Sequence, residues 1–176
     1  MKKILGLVAS LTIIAGVCAA VLAYVDALTR EPIAQMLVKK TVEAAKAVLP
    51  AEAASVEKAQ FADGEEYFVG LGADGAIVGY AVKGSDPGGY GGDVVLMVGL
   101  RADKTTVVCY KTLAAAETPG LGMKLNTPEF SGQFAGKNGA ALKVRKDGGD
   151  IDAITSATIT SRAVCGAIAS AVAKLQ

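Results

Sequence analysis

The stretch Tyr67-Phe68-Val69-Gly70-Leu71-Gly72-Ala73-Asp74-Gly75-Ala76-Ile77-Val78-Gly79-Tyr80-Ala81-Val82-Lys83 decides how this chain folds. Two apolar runs flank Ala73-Asp74-Gly75, and an Asp-Gly pair between such runs signals a hairpin, because both residues accept the backbone of a tight turn. Asp93 to Leu100 and Thr105 to Tyr110 repeat the pattern across Arg101-Ala102-Asp103-Lys104. A meander of antiparallel strands is therefore expected at the centre of the fold.

Helical spacing takes over on both sides. Upstream, Ile33, Met36, Leu37, Val42, Ala45, Val48 and Leu49 follow an approximate helical period that Pro50 closes. Downstream, Val164, Ile168, Val172 and Leu175 lie four, four and three residues apart, which predicts a C-terminal helix from about Ser161 with one apolar stripe. Pro128-Glu129-Phe130 opens a short helix, Ala141 to Arg145 reads as a further strand, and Gly148-Gly149 breaks the chain. Strands grouped centrally with helices at both ends predict an α+β domain, not a doubly wound one.

The N-terminus has its own character. From Ile4 to Tyr24 no residue is charged, and a run of about 20 apolar residues spans the hydrocarbon core of a bilayer. Lys2 and Lys3 precede it while Asp26, Arg30 and Glu31 follow. The positive-inside bias then puts the N-terminus in the cytoplasm and the remaining chain outside. Ala19, Ala20 and Ala23 leave a cleaved signal peptide as the competing reading. The resulting organisation is a transmembrane anchor at 1–25, an amphipathic helical connector at 26–60 and one further domain at 61–176.

Composition narrows the chemistry. The 176 residues carry 18 basic and 17 acidic side chains, a net charge of +1 with no basic block beyond Lys2-Lys3 and Lys39-Lys40, so nucleic acid is not the expected partner. There is no histidine, which excludes histidine-based triads, zincin sites and His-ligated haem. Cys18, Cys109 and Cys165 lie far apart and form no C-x-x-C, so the chain alone lacks ligands for an iron–sulfur cluster or a structural zinc. Redox chemistry would need an organic cofactor. Cys109 and Cys165 could pair in an oxidising compartment or stay isolated thiols.

Three stretches stand out: Gly88-Gly89-Tyr90-Gly91-Gly92-Asp93, Glu117-Thr118-Pro119-Gly120-Leu121-Gly122, and Asp152-Ala153-Ile154-Thr155-Ser156-Ala157-Thr158-Ile159-Thr160-Ser161. Glycines permit positive φ and close backbone approach, which suits a loop lying against a flat ligand, although each stretch alone is explained by turn chemistry. The third leads into the last helix. Its Ser, Thr and Asp residues would cap that helix, and the same helix N-terminus suits a phosphate.

Asp152-Ala153-Ile154-Thr155-Ser156-Ala157-Thr158 resembles the flavinylation motif of the FMN-binding domain family, which includes the G subunit of the Rnf electron-transport complex and the C subunit of sodium-pumping NADH:quinone reductase. The Glu117 to Gly122 loop and the Gly-Tyr-Gly-Gly stretch are similar to two further family motifs, in the family order. The resemblance implies FMN esterified through its phosphate to Thr158, installed by a separate flavin transferase that uses FAD and magnesium. It also implies a cofactor site that includes Tyr90, Glu117, Thr118, Gly120, Leu121, Asp152, Thr155, Ser156 and Ala157, with Glu117 and Thr118 orienting the ring.

The implied protein is an electron carrier in an ion-translocating, ferredoxin- and NAD-linked complex of the bacterial cytoplasmic membrane, partnered by the other Rnf subunits. It is not expected to turn over a substrate alone. A quinone-reductase C-type subunit and a flavin-free anchored interaction subunit are the alternatives. Ser156 stands where the family usually has glycine, and Ala115 where a histidine is often found.

Overall fold

Alternation of apolar and polar side chains becomes a sheet in the computed structural model, which describes residues 2–176. Met1 and the side chains of Lys2, Lys3 and Leu5 lie outside the described residues, and the orientation reading rests on Lys2 and Lys3. The chain forms two compact units, one up to Lys40 and the other Thr41–Gln176.

Helix α1, Lys2–Val48, supplies the first unit. Its described large apolar side chains, from Ile4 and Leu7 to Val38, are exposed on every side of the helix. A helix apolar all round needs a membrane or a protein partner to cover it, and α1 is long and apolar enough to cross a bilayer.

The second unit is built on five antiparallel strands in the order β1-β2-β3-β4-β5: Ser55–Gln60, Glu66–Leu71, Ile77–Gly89, Gly92–Arg101 and Val107–Ala114. Asp74 closes the β2–β3 hairpin by accepting the Ala76 N–H at 3.1 Å, and Gly75 takes φ +77°. Period-two burial sends Val82, Val94, Leu96, Val98 and Leu100 to one face, where helix α3, Thr158–Leu175, covers them with Val164, Ala167, Ile168 and Val172. Phe130 of helix α2, Pro128–Ser131, and Phe134 complete that core. Phe68, Ala81 and Met97 face the other way and are covered by Ala44, Ala45, Val48 and Leu49. The α+β fold is as expected: helices on both faces of a meander.

Three features differ from the sequence reading. β1 lies within the stretch read as helical connector, and its apolar positions are sparse because an edge strand has one neighbour and tolerates Glu57, Lys58 and Gln60. Ala141 to Arg145 is not a strand. Leu142 and Val144 are buried and alternate with exposed Lys143 and Arg145, but the segment runs between two 3-10 turns and makes a single bridge, Val144 to Ile151. Alternation there reports an extended segment laid on a core, and pairing is a separate condition. Finally, α3 begins at Thr158 and not near Ser161, so the hydroxyl-rich residues form its first turn.

Cys109 and Cys165 are both free thiols on opposite sides of the sheet, each in a different core cluster. Burial pushes the Cys165 thiol up to about 12, as befits an inert core side chain.

Candidate functional site

An antiparallel meander brings the β3–β4 turn and the exit of β5 to the same end of the sheet, since Val95 near the start of β4 pairs with Ala114 at the end of β5. α3 packs along β3 and starts at that end. The three stretches distinguished in the sequence therefore converge in space. The first is a tight turn at Tyr90-Gly91 between paired Gly89 and Gly92. The second follows β5, and the third opens α3.

Glu117 ties them together. Its side chain is buried, and its Oε1 accepts the Tyr90 N–H at 2.8 Å and more weakly the Gly91 N–H at 3.5 Å, while the Thr160 hydroxyl donates to Oε2 at 2.7 Å. Close approach of backbone makes this possible. A Cβ on Gly122 would lie 2.3 Å from Glu117 Oε2, and one on Gly91 would lie 1.7 Å from the Ala116 carbonyl oxygen.

Around this junction lies a cavity of about 510 Å³, lined by Tyr90, Glu117, Thr118, Leu121, Gly122 and the run Ser156 to Thr160. That volume falls in the roughly 300–1,000 Å³ range of small-molecule sites. Among residues 41–176 five large apolar side chains are exposed, Ile77, Tyr90, Leu121, Met123 and Ile159, and three of them line this one cavity. An apolar rim beside hydroxyls suits a flat aromatic ring with a polar tail.

The first turn of α3 is arranged differently from the capping expected. Its N-cap is Ala157, and no side chain caps the helix. Ser161 is buried instead, accepting the Ile154 N–H at 3.0 Å and donating to the Ala157 carbonyl at 2.9 Å. Ser156 holds φ +62°, the left-handed region that glycine favours. The first turn of α3 is thus left without a side-chain cap.

Of the residues expected at the site, Tyr90, Glu117, Thr118, Leu121, Ser156, Ala157 and Thr158 line the cavity. Gly120 is exposed in the adjoining loop at φ +77°. Asp152 and Thr155 line a smaller neighbouring cavity of about 220 Å³ with Lys124, Gln133 and others. Arg145 holds the Asp152 carboxylate in a two-pronged pair at 2.7 and 3.2 Å, which keeps it below the usual carboxylate range. Gln133 clamps the Asp152 backbone, accepting its N–H at 2.7 Å and donating to its carbonyl at 3.2 Å. Gly122, Ile159 and Thr160 are lining residues that motif reading missed, although all three lie inside the quoted stretches.

Residues 89–173, which contain all three of these stretches except Gly88, match the FMN-binding domain family. Across 178 residues the chain is 34% identical to the G subunit of the ion-translocating oxidoreductase complex of Methanosarcina acetivorans, covering 97% of this chain and 94% of that one. It is 32% identical to the G subunit of the Na(+)-translocating ferredoxin:NAD(+) oxidoreductase complex of Acetobacterium woodii, over 93% of this chain and 86% of that one. A match to the G subunit of the ion-translocating oxidoreductase complex of Vibrio cholerae is 42% identical but spans 56% of this chain and 50% of that one. The chain belongs to the family of G subunits of ion-translocating oxidoreductase complexes.

Proposed function

We propose that this chain is an electron-transfer subunit of a membrane-bound, Rnf-type complex and carries electrons on FMN esterified through its phosphate to Thr158. The observation that carries the reading is the separation of three threonines. Thr160 is buried and bound to Glu117, Thr155 lines the smaller cavity, and Thr158 lines the large cavity while half exposed. Thr158 alone of the three offers a reachable hydroxyl beside space for a ring.

Tyr90, Leu121 and Ile159 would hold the ring's apolar surface, and the open first turn of α3 would face the phosphate. When bound, FMN supplies one- and two-electron chemistry. A threonine hydroxyl needs a base to attack a phosphoanhydride. Here Glu117 is occupied by three donors and Asp152 by Arg145, so neither is free to take the Thr158 proton. That supports attachment by a separate flavin transferase. The remaining partners are the other subunits of the complex, with α1 as a single membrane anchor, its N-terminus cytoplasmic and the domain extracytoplasmic.

The test is to express the full chain with and without a flavin transferase and look for flavin fluorescence on a denaturing gel, with intact mass as a second readout. Wild type is expected to gain the FMN increment only with the transferase. Thr158→Ala is expected to lose it completely. Covalent flavin retained on the alanine variant would sink the assignment, and an unmodified wild type would favour a flavin-free interaction subunit.

A further inference from the structure

Among the residues that line the large cavity, Glu117 is the one acidic or basic side chain. It has no ion-pair partner among the described residues, and every group that meets it there is a donor: two backbone N–H groups and one hydroxyl. Those partners satisfy the ionised, acceptor-only form of a carboxylate. The one acidic side chain of the lining is therefore held in the wall of the cavity by contacts from segments 27 and 43 residues away. Holding the walls together needs no charge, since a neutral amide could do it. Gln Oε1 would accept the Tyr90 N–H, and Gln Nε2 would donate to the Thr160 oxygen, leaving that hydroxyl to turn toward the carbonyl one turn back. An acidic side chain at this place calls for a reason beyond packing.

We infer that Glu117 is a positioning residue that also sets the reduction potential of the cofactor in this cavity, holding it lower than a neutral side chain would. The inference rests on the proposal that FMN occupies the cavity. Glu117 would then face a ring that becomes net negative when two electrons and one proton enter it, and a fixed carboxylate opposes that change. A unit charge acting across a separation on the order of 10 Å at an effective dielectric of about 20 amounts to roughly tenfold in an equilibrium constant. For a two-electron couple, tenfold is about 30 mV.

The experiment is a dithionite titration of the full, flavinylated chain in detergent at mildly alkaline pH, following the flavin absorbance. Dithionite gives up the two electrons and is oxidised to sulfite, and solvent supplies the proton. Glu117→Gln is expected to raise the midpoint by about 30 mV, whereas Glu117→Asp, which keeps the charge, is expected to move it clearly less. A midpoint unchanged in Glu117→Gln, or an equal rise in Glu117→Asp, overturns the inference. Should Glu117→Gln carry no flavin, Leu121→Glu decides: a second carboxylate on the exposed rim must lower the midpoint, and an unchanged value is again fatal. A wild-type chain without covalent flavin refutes the earlier proposal instead, so the two failures are distinguishable.

Discussion

At the scale of single residues, Ser156 shows how much backbone can be read through an unexpected side chain. A non-glycine residue in the left-handed region costs about 1–2 kcal/mol, and glycine gives back roughly 0.5–1 kcal/mol of that in unfolded-state entropy. Ser156 is exposed at φ +62°. Ser156→Gly is accordingly expected to stabilise the domain by about 0.5–1 kcal/mol, and Ser156→Val to weaken it; a glycine variant less stable in urea would contradict this account. The hydroxyl cluster made Thr158 conspicuous in the sequence, but the separation of its neighbours was not legible there. Whether Thr155 or Thr160 faces the same space depends on where α3 starts, and that start is fixed by Ser161 bonding back to Ala157 and Ile154. Glu117 was visible as a ring-orienting residue implied by the resemblance, but not as the junction that ties three segments together. Its partners come from the β3–β4 turn and from the first turn of α3.

Elements were legible where local pattern and tertiary contact agree. The two hairpins and the stripe of α3 announce themselves because apolar runs flank turn residues and α3 buries one stripe. β1 and the segment at 141–145 escaped because one is an edge strand with few apolar residues and the other alternates without a partner. The glycines of the α3–β3 contact were equally silent. A Cβ on Gly84 would lie 2.0 Å from the Ala167 carbonyl oxygen and 3.0 Å from the Ala171 side chain; on Gly166 it would lie 1.9 Å from Asp86 Oδ2. The first of those obstacles is backbone, which cannot step aside as a side-chain tip can. Gly84→Ala should force α3 away from β3 and cost on the order of 1–3 kcal/mol or more. Chemical denaturation would measure it, and a loss below about 0.5 kcal/mol, the scale of ordinary surface substitutions, would mean that the helix and strand are not held as closely as described.

At the scale of the whole molecule, where the flavin domain begins is a thermodynamic matter. The sequence suggested residue 61, after an amphipathic connector, whereas the second compact unit starts at Thr41. The difference is one face of the sheet: residues 41–60 supply Ala44, Ala45, Val48 and Leu49 over Phe68, Ala81 and Met97, together with all of β1. Uncovering Phe68 and Met97 alone forfeits about 1.5–3 kcal/mol each, against a total stability of about 5–15 kcal/mol for a typical domain. β2 would also become an unprotected edge. A chain of residues 41–176 should therefore stay soluble, unfold cooperatively and accept flavin from the transferase. One of residues 61–176 should aggregate or melt well below it. Size-exclusion chromatography and thermal unfolding of the two truncations separate the boundaries. If the shorter chain is as stable and as readily flavinylated as the longer, the last turns of α1 belong to the anchor and the sheet supports the site without them.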